Sequence, residues 1–518
     1  MDISSMPYVA KATLGLACVF IVYQAFAQLT TGRQRRALKR EKGTLPAPWF
    51  SGFRDHILGL DLFRKNMKLI KEHRLLEVVT ARFKNDGVRT FRILLLGRQV
   101  HFTIEPENLK VIQAVDHKKW GLGSRRKFGF RPLLGDGIFT TDGGAWHHSR
   151  DMLRPNFVRS QVGDIVTFEK HVSQLVQAIP RDRATVDLSE LFFRLTMDSA
   201  TEFLFGESTD SLSKPSSDGF AEAFTRSQDY IGNLARWGKM SYLFPANKEW
   251  DHDRKFVHAF VDHYVEKGLA KRTKLLAEKS SSEKPGRYIF IDELVRQTTD
   301  RIRIRSELLN ILLAGRDTTA SLLTNAWFTI SKRPDIWAKL QAEVAGLDGE
   351  LPSFEQLKDM KYLKAVLNES LRLYPVVPTN SREAECDTTL PLGGGPDGSA
   401  PLFIEKGGLV AWSVYAMHRR KDYYGEDADD FRPERWLDDP ATGKKGLRPG
   451  WEYLPFNGGP RICLGQQYAL TEASYTTVRL CQAFGEIESR DQQPWTESLT
   501  LTCVNLGGAK VALTARDA

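Results

Sequence analysis

The stretch Phe456-Asn457-Gly458-Gly459-Pro460-Arg461-Ile462-Cys463-Leu464-Gly465 decides how this chain reads, because a glycine-punctuated turn delivers one cysteine to the start of a helical run, Gln466 to Leu480. A cysteine so placed gains thiolate character, since the positive end of a helix and nearby backbone N–H groups favour the charged sulfur. An anionic sulfur is a good ligand for iron. Gly459 and Gly465 suit a turn whose backbone must come close to a flat macrocycle, because glycine has no Cβ to obstruct the approach. Arg461 would then face a carboxylate on the rim of that ring, and Phe456 would cover the sulfur.

Upstream, Leu308 to Ile330 reads as an apolar helix interrupted at Ala314-Gly315-Arg316-Asp317-Thr318-Thr319. A threonine hydroxyl can bond the carbonyl four residues back, here that of Ala314, and open the helix locally beside a glycine. The expected result is a notch, with Asp317 and Thr318 able to relay protons into it. Glu369-Ser370-Leu371-Arg372 sets an acid and a base three residues apart on one helix face.

Taken together, the pattern Phe-x-x-Gly-x-Arg-x-Cys-x-Gly and the Gly-x-Asp-Thr-Thr segment about 145 residues before it resemble the haem loop and oxygen-activation segment of the cytochrome P450 superfamily. Thiolate ligation that favours O–O cleavage is that family's known chemistry. The resemblance implies a mainly α, α+β fold: a helical bundle around haem b with small β-sheets, plus an N-terminal transmembrane helix. It implies Cys463 as the metal ligand, and Trp146 and Arg150 of Trp146-His147-His148-Ser149-Arg150 holding a propionate together with Arg461 and Arg382. Glu369, Arg372 and, from a Pro-Glu-Arg-Trp segment, Arg435 are implied as a buried structural network on the haem-loop side. Thr318 and Asp317 take the catalytic role, with O2 as co-substrate and NADPH supplying electrons through a separate NADPH–cytochrome P450 reductase. Lys444, Lys445 and Arg448 are candidates for steering that partner.

Asn310 to Ala320, Phe193 to Ala200 and Phe456 to Leu470 narrow the resemblance to the fungal enzymes that hydroxylate n-alkanes and fatty acids at the chain terminus. The implied substrate is a hydrophobic small molecule, bound mainly through buried apolar area at about 25 cal/mol per Å². Candidate pocket residues are Leu313, Ala314, Val376, Val377 and Leu506, with the Gly121 to Phe139 loop and Leu234 to Phe244. Animal fatty-acid ω-hydroxylases have glutamate where Ala314 stands and can esterify it to haem; Ala314 cannot form that bond. The alternative function is oxidative tailoring of an acyl or polyketide secondary metabolite by the same chemistry. A reductase-independent haem-thiolate isomerase or dehydratase, or a non-catalytic haem protein, would not need the Asp317-Thr318 pair.

The remainder of the 518 residues fits this frame. A net charge of +9 with no nucleic-acid motif points to an anionic membrane surface or an acidic protein partner. The five cysteines, Cys18, Cys386, Cys463, Cys481 and Cys503, are odd in number and far apart, unlike a disulfide framework. Ala12 to Leu29 is an apolar run near the length of a membrane span, followed by Arg33, Arg35, Arg36, Lys39, Arg40 and Lys42, a flank that keeps the downstream chain cytosolic. A cleaved signal peptide would place its positive charge ahead of the run. The expected organisation is thus a membrane anchor over 1–32, a basic, proline-containing hinge over 33–50 and a catalytic domain over 51–518, on the endoplasmic reticulum membrane. Helix is predicted over Leu60 to Val79, strands over Thr90 to Thr103, Leu402 to Ile404, Leu409 to Trp412 and Leu499 to Val504, and a long loop over Gly121 to Gly137.

Overall fold

The computed structural model describes residues 29–516 apart from 53, 86, 158–164, 215–218, 244, 246 and 279–287, with 8, 14, 15, 18, 19 and 22 near the N-terminus. Helices dominate, with four small sheets. The elements that frame the site are α1 (Thr31–Glu41), α2 (Leu60–Lys71), α3 (Leu75–Asn85), α4 (Ser124–Leu134), α5 (Gly143–Leu153), α6 (Leu188–Phe205), α7 (Phe220–Trp237), α8 (Arg301–Ser331), α9 (Lys361–Leu373) and α10 (Gln466–Ala483). The strands are β1 (Thr90–Leu95), β2 (Arg98–Thr103), β3 (Trp120–Gly121), β4 (Thr379–Ala384), β5 (Leu409–Ser413), β6 (Glu497–Leu499) and β7 (Cys503–Asn505). The five-stranded sheet runs β1-β2-β5-β4-β3 with only the β2–β5 pair parallel, and β6 and β7 form a separate hairpin.

The central element is α8, 31 residues long. Its first half, from Ile304 to Leu312, packs into one apolar cluster with α6 and α7; its second half, from Ala320 to Ile330, packs into another with α9 and α10. Between Ser306 and Ser331 every residue is buried except Leu313, Ala314, Gly315 and Thr318. The helix therefore opens only where it passes from one core to the other.

Three expectations change. The predicted helix over Leu60 to Val79 is two helices, broken at His73, which adopts a left-handed φ of 56° while its Nδ1 lies 2.9 Å from the Glu497 carbonyl. The stretch read as a loop over Gly121 to Gly137 contains α4, in spite of Pro132 within it. Tertiary contact decides this: Gly129 lets α4 approach α7 so closely that a Cβ there would lie 2.5 Å from the Ala235 amide nitrogen. The segment read as a hinge is folded structure. α1 is tied by Arg35 to Asp387 at 2.9 Å and Glu405 at 2.7 Å, and the Leu45 to Phe50 backbone bonds to Pro401, Gly395 and Arg92. Among the described residues no helix is long and apolar enough to cross a membrane. The predicted span, Ala12 to Leu29, lies outside the described residues except for Leu14, Gly15, Cys18, Val19, Val22 and Leu29, all helical and exposed.

Candidate active site

The cysteine loop is held from two sides. The Cys463 amide donates to the Phe456 carbonyl at 3.0 Å, closing the loop on itself, and the Gly458 amide donates to Gln113 Oε1 at 2.8 Å. Phe456 is half-buried against the core beside it. Gly459 has φ +63°, and a Cβ there would stand 2.0 Å from the Gln113 carbonyl oxygen. Glycine at 459 is thus demanded by the short π-helix Val111–Val115 that carries Gln113, rather than by a macrocycle. At Gly465 the protein makes no such demand, since a Cβ would only touch the Phe157 ring at 3.7 Å; there the approach of a planar group is what a side chain would hinder. Gly459→Ala should cost at least about 1–2 kcal/mol from the left-handed φ alone, with the clash added. Thermal unfolding checks this, and an unchanged midpoint would contradict it.

Cys463 is closely surrounded by protein but keeps exposed surface. Burial pushes its thiol up, against the opposing pulls of the Gly465 N–H and the Arg150 guanidinium. In the protein alone desolvation opposes the helix end. A bound metal would favour the anionic state, since it deprotonates a coordinating thiol outright.

Close to the loop lies a cluster of buried arginines. Arg382 donates to Asn380 Oδ1 at 3.1 Å and to the Ser381 carbonyl at 2.8 Å. Arg461 lies 4.2 Å above the Trp146 ring and donates to Asp142 at 2.6 Å. Arg126, which sequence reasoning missed, joins them from α4. Burial, with repulsion from Arg126 and Arg461, pulls Arg382 down to about 9, and burial with repulsion from Arg461 pulls Arg126 down to about 10. Asp142 is the acid that faces all three, and it is already bound by Arg461 and Lys127. Among the described residues the buried Nε of Arg126 and the indole N–H of Trp120 have no hydrogen-bond partner. Such an excess of desolvated cationic donors fits a group bearing carboxylates, as haem does. Arg150 lies 5.7 Å from the Trp146 ring that Arg461 also covers, and its guanidinium donates to the Ile462 carbonyl at 3.1 Å.

The Thr318 hydroxyl donates to the Ala314 carbonyl at 2.6 Å, the predicted back-bond, although α8 continues through it without a break. Asp317 is buried beside it but turned to Arg316, whose Nη1 donates to Oδ1 at 3.1 Å; the two predicted catalytic side chains share no hydrogen bond. Burial raises the Asp317 carboxyl, with Arg316 opposing and Asp229 of α7 adding to the rise. It is held toward its protonated form.

Behind the cysteine loop, Glu369 accepts from Arg372 Nε and Nη2 and from Arg435 Nε, each at 2.8 Å, and from the Trp436 indole at 2.9 Å. Arg372 spends its remaining donors on the carbonyls of His418, Ala428 and Asp430. His418, kept neutral by burial at a pKa of about 3, accepts from the Leu454 amide at 2.9 Å. The chain from Arg372 to His418 to Leu454 ends two residues before Phe456.

Of the pocket candidates, Leu313 and Ala314 lie on the open stretch of α8, Val377 is half-buried and Val376 is in the core. Leu506 is 49% exposed. Leu506 follows the end of β7; the hairpin tip is Thr500 to Thr502, and Leu501 packs there against the α7 and α8 cluster with Leu313.

A cytochrome P450 family profile matches residues 60–506, which include the cysteine loop, α8 and the Glu369 network. The chain belongs to the cytochrome P450 family. This P450 is 43% identical over 506 residues to the cytochrome P450 monooxygenase himC of Aspergillus japonicus, covering 97% of this chain and 89% of the relative. It is 45% identical over 480 residues to cytochrome P450 52A12 of Debaryomyces hansenii, 89% and 90% of the two chains. It is 48% identical over 413 residues to cytochrome P450 52A3-B of Candida maltosa, 76% and 77%. As a family member the P450 is a monooxygenase that uses thiolate-ligated haem and O2, with electrons drawn from NADPH through a reductase.

Proposed function

We propose that this P450 inserts one oxygen atom of O2 into a terminal or near-terminal C–H bond of a long-chain aliphatic substrate, a fatty acid or n-alkane. The observation that carries the reading is the short open stretch of α8. Its free surface, Leu313, Ala314, Gly315 and Thr318, is three apolar residues and one hydroxyl. Similarity to the 52A relatives supports the same substrate class.

When bound, haem supplies the activation of O2. The residues of this chain supply the rest. Cys463 donates the sulfur. Arg126, Arg382 and Arg461, with Trp146, hold the carboxylates and so fix how the ring sits; Arg150 braces the cysteine loop through Ile462. Thr318 holds a proton at Oγ1 on the cleft face, and Asp317, kept toward its neutral form, is a reserve of protons one position away once it leaves Arg316. Leu313, Ala314 and Leu501 exclude water and restrict which carbon can approach Thr318. That restriction is needed because terminal C–H bonds are stronger than internal ones. Glu369, Arg372 and Arg435 hold the loop rather than react.

A single-pass anchor in the endoplasmic reticulum membrane and NADPH–cytochrome P450 reductase as electron donor complete the reading. Lys444 is exposed, whereas Lys445 and Arg448 share Asp438, which weakens the basic patch expected for the reductase. Product analysis with lauric acid, palmitic acid and n-alkanes, given NADPH and reductase, tests the proposal. Terminal and near-terminal alcohols are expected. A spread of mid-chain alcohols would reject the restricted cleft, and no oxidation of any of them would leave the acyl or polyketide reading.

A further inference from the structure

The C-terminal half of α7 has a polar face that the chemistry above does not use. Asp229, Asn233 and Arg236 recur at i, i+4 and i+7, so they share one side of the helix. Gly232 beside them meets the β6–β7 hairpin, since a Cβ there would touch Leu501 at 3.4 Å. The same hairpin bonds α8, where Ser321, three residues past Thr318, donates to the Thr502 hydroxyl at 3.2 Å. At its other end the Leu499 carbonyl accepts from Arg236 Nη2 at 3.3 Å. Trp237 then meets Phe63 of α2 edge-on at 5.1 Å. Arg236 therefore sits where α2, α7 and the hairpin converge, and the same hairpin reaches α8 three residues past Thr318.

Arg236 is half-buried, and besides Leu499 it donates through Nη1 to Asn233 Oδ1 at 3.0 Å. Among the described residues no carboxylate lies within salt-bridge distance of it. Burial lowers its pKa, with Asp229 opposing, as expected of a cation withdrawn from water without a bonded counter-ion. A guanidinium offers five N–H donors in a fork that matches a carboxylate. The other end of the face has the opposite sign: Asp229 lies near Asp317 and Arg316 of α8, and Arg316 is already taken by Asp317. An anionic head group is attracted at Arg236 and not toward Asp229, so the charges along α7 orient an acid in one direction.

We propose that Arg236, held by Asn233 and the Leu499 carbonyl, anchors the carboxylate of a long-chain acid substrate, so that the alkyl tail enters first and its end reaches Thr318. The inference rests on the long-chain aliphatic reading above and selects, within it, the free acid over the alkane.

The test is binding of lauric acid, methyl laurate and dodecane to the haem-loaded full chain, read by the substrate-induced change in haem absorption. Arg236→Gln should weaken lauric acid by about tenfold to a hundredfold, the worth of a charge-assisted contact, and leave the ester and the alkane within about twofold. Arg236→Lys should recover much of the loss. An unchanged affinity for lauric acid overturns the anchor, as does an equal loss for all three, which would mean that Arg236 only ties the hairpin to α7. Should Arg236→Gln not fold, the unsubstituted protein still decides, because equal affinity for lauric acid and methyl laurate overturns the proposal. If none of the three binds, the long-chain reading falls with it; if the ester and alkane bind while the acid ignores the substitution, only the anchor falls.

Discussion

Arg372→Ala is expected to yield essentially no haem-loaded protein. The substitution removes a fully buried guanidinium that gives two bonds to Glu369 and one each to the carbonyls of His418, Ala428 and Asp430. Glu369 would keep Arg435 and Trp436, but its charge would be under-compensated in a dry interior, and the buried carbonyls of His418 and Ala428 would lose a donor. Breaking a buried pair in this way costs roughly 3–5 kcal/mol, a large share of the net stability of a typical fold. The loss is also transmitted locally, because His418 joins the Arg372 carbonyl to the Leu454 amide just ahead of Phe456. Haem content per mole of soluble protein checks it. A variant with normal haem content would show that the network does not shape the cysteine loop.

The second large effect concerns Thr318. Replacing it with valine keeps the shape but removes the one hydroxyl on the open stretch of α8 and its 2.6 Å bond to Ala314. Loss of a positioned proton donor costs roughly 10²–10⁴-fold in a step that needs it. Alcohol formation by Thr318→Val should therefore fall by about a hundredfold or more, while NADPH and O2 continue to be consumed without it. Simultaneous measurement of NADPH oxidised and alcohol formed separates the outcomes. Retained coupling would take Thr318 out of proton handling, and an equal fall in both would mean damage to haem binding or electron delivery. Asp317→Asn should show a weaker version of the same uncoupling, because Asp317 bonds to Arg316 and not to Thr318.

What the sequence disclosed and what it hid divide along the range of the interactions. The cysteine loop was legible because its geometry is local: the glycines, Cys463 and the start of α10 lie within a few residues of one another. The back-bond of Thr318 was legible for the same reason, being a four-residue contact along one helix. The Glu369–Arg372 pair is local too, but its third member, Arg435, and the carbonyl shell around Arg372 come from segments more than forty residues away. Only the family resemblance could supply Arg435. Arg126 was missed because its role depends on α4 packing beside Arg382 and Arg461, and α4 itself was read as a loop from its glycines and Pro132. Those glycines mark close contact with α7 as much as a turn. Likewise the prolines of Leu45 to Trp49 signal extended backbone correctly, yet that backbone pairs with the sheets instead of hanging free. At Cys463 burial opposes the pull of the Gly465 N–H and Arg150 toward the thiolate, and desolvation is a property of the whole fold, invisible to a helix-end argument.

The most direct test of the account is the absorption spectrum of the purified protein, reduced and then exposed to carbon monoxide. A strongly red-shifted Soret band, the signature of a thiolate opposite the gas, is predicted for the unsubstituted chain and its loss for Cys463→Ala. An unshifted band, or a shifted band that survives Cys463→Ala, would contradict the assignment of Cys463 as the ligand on which every other role here depends.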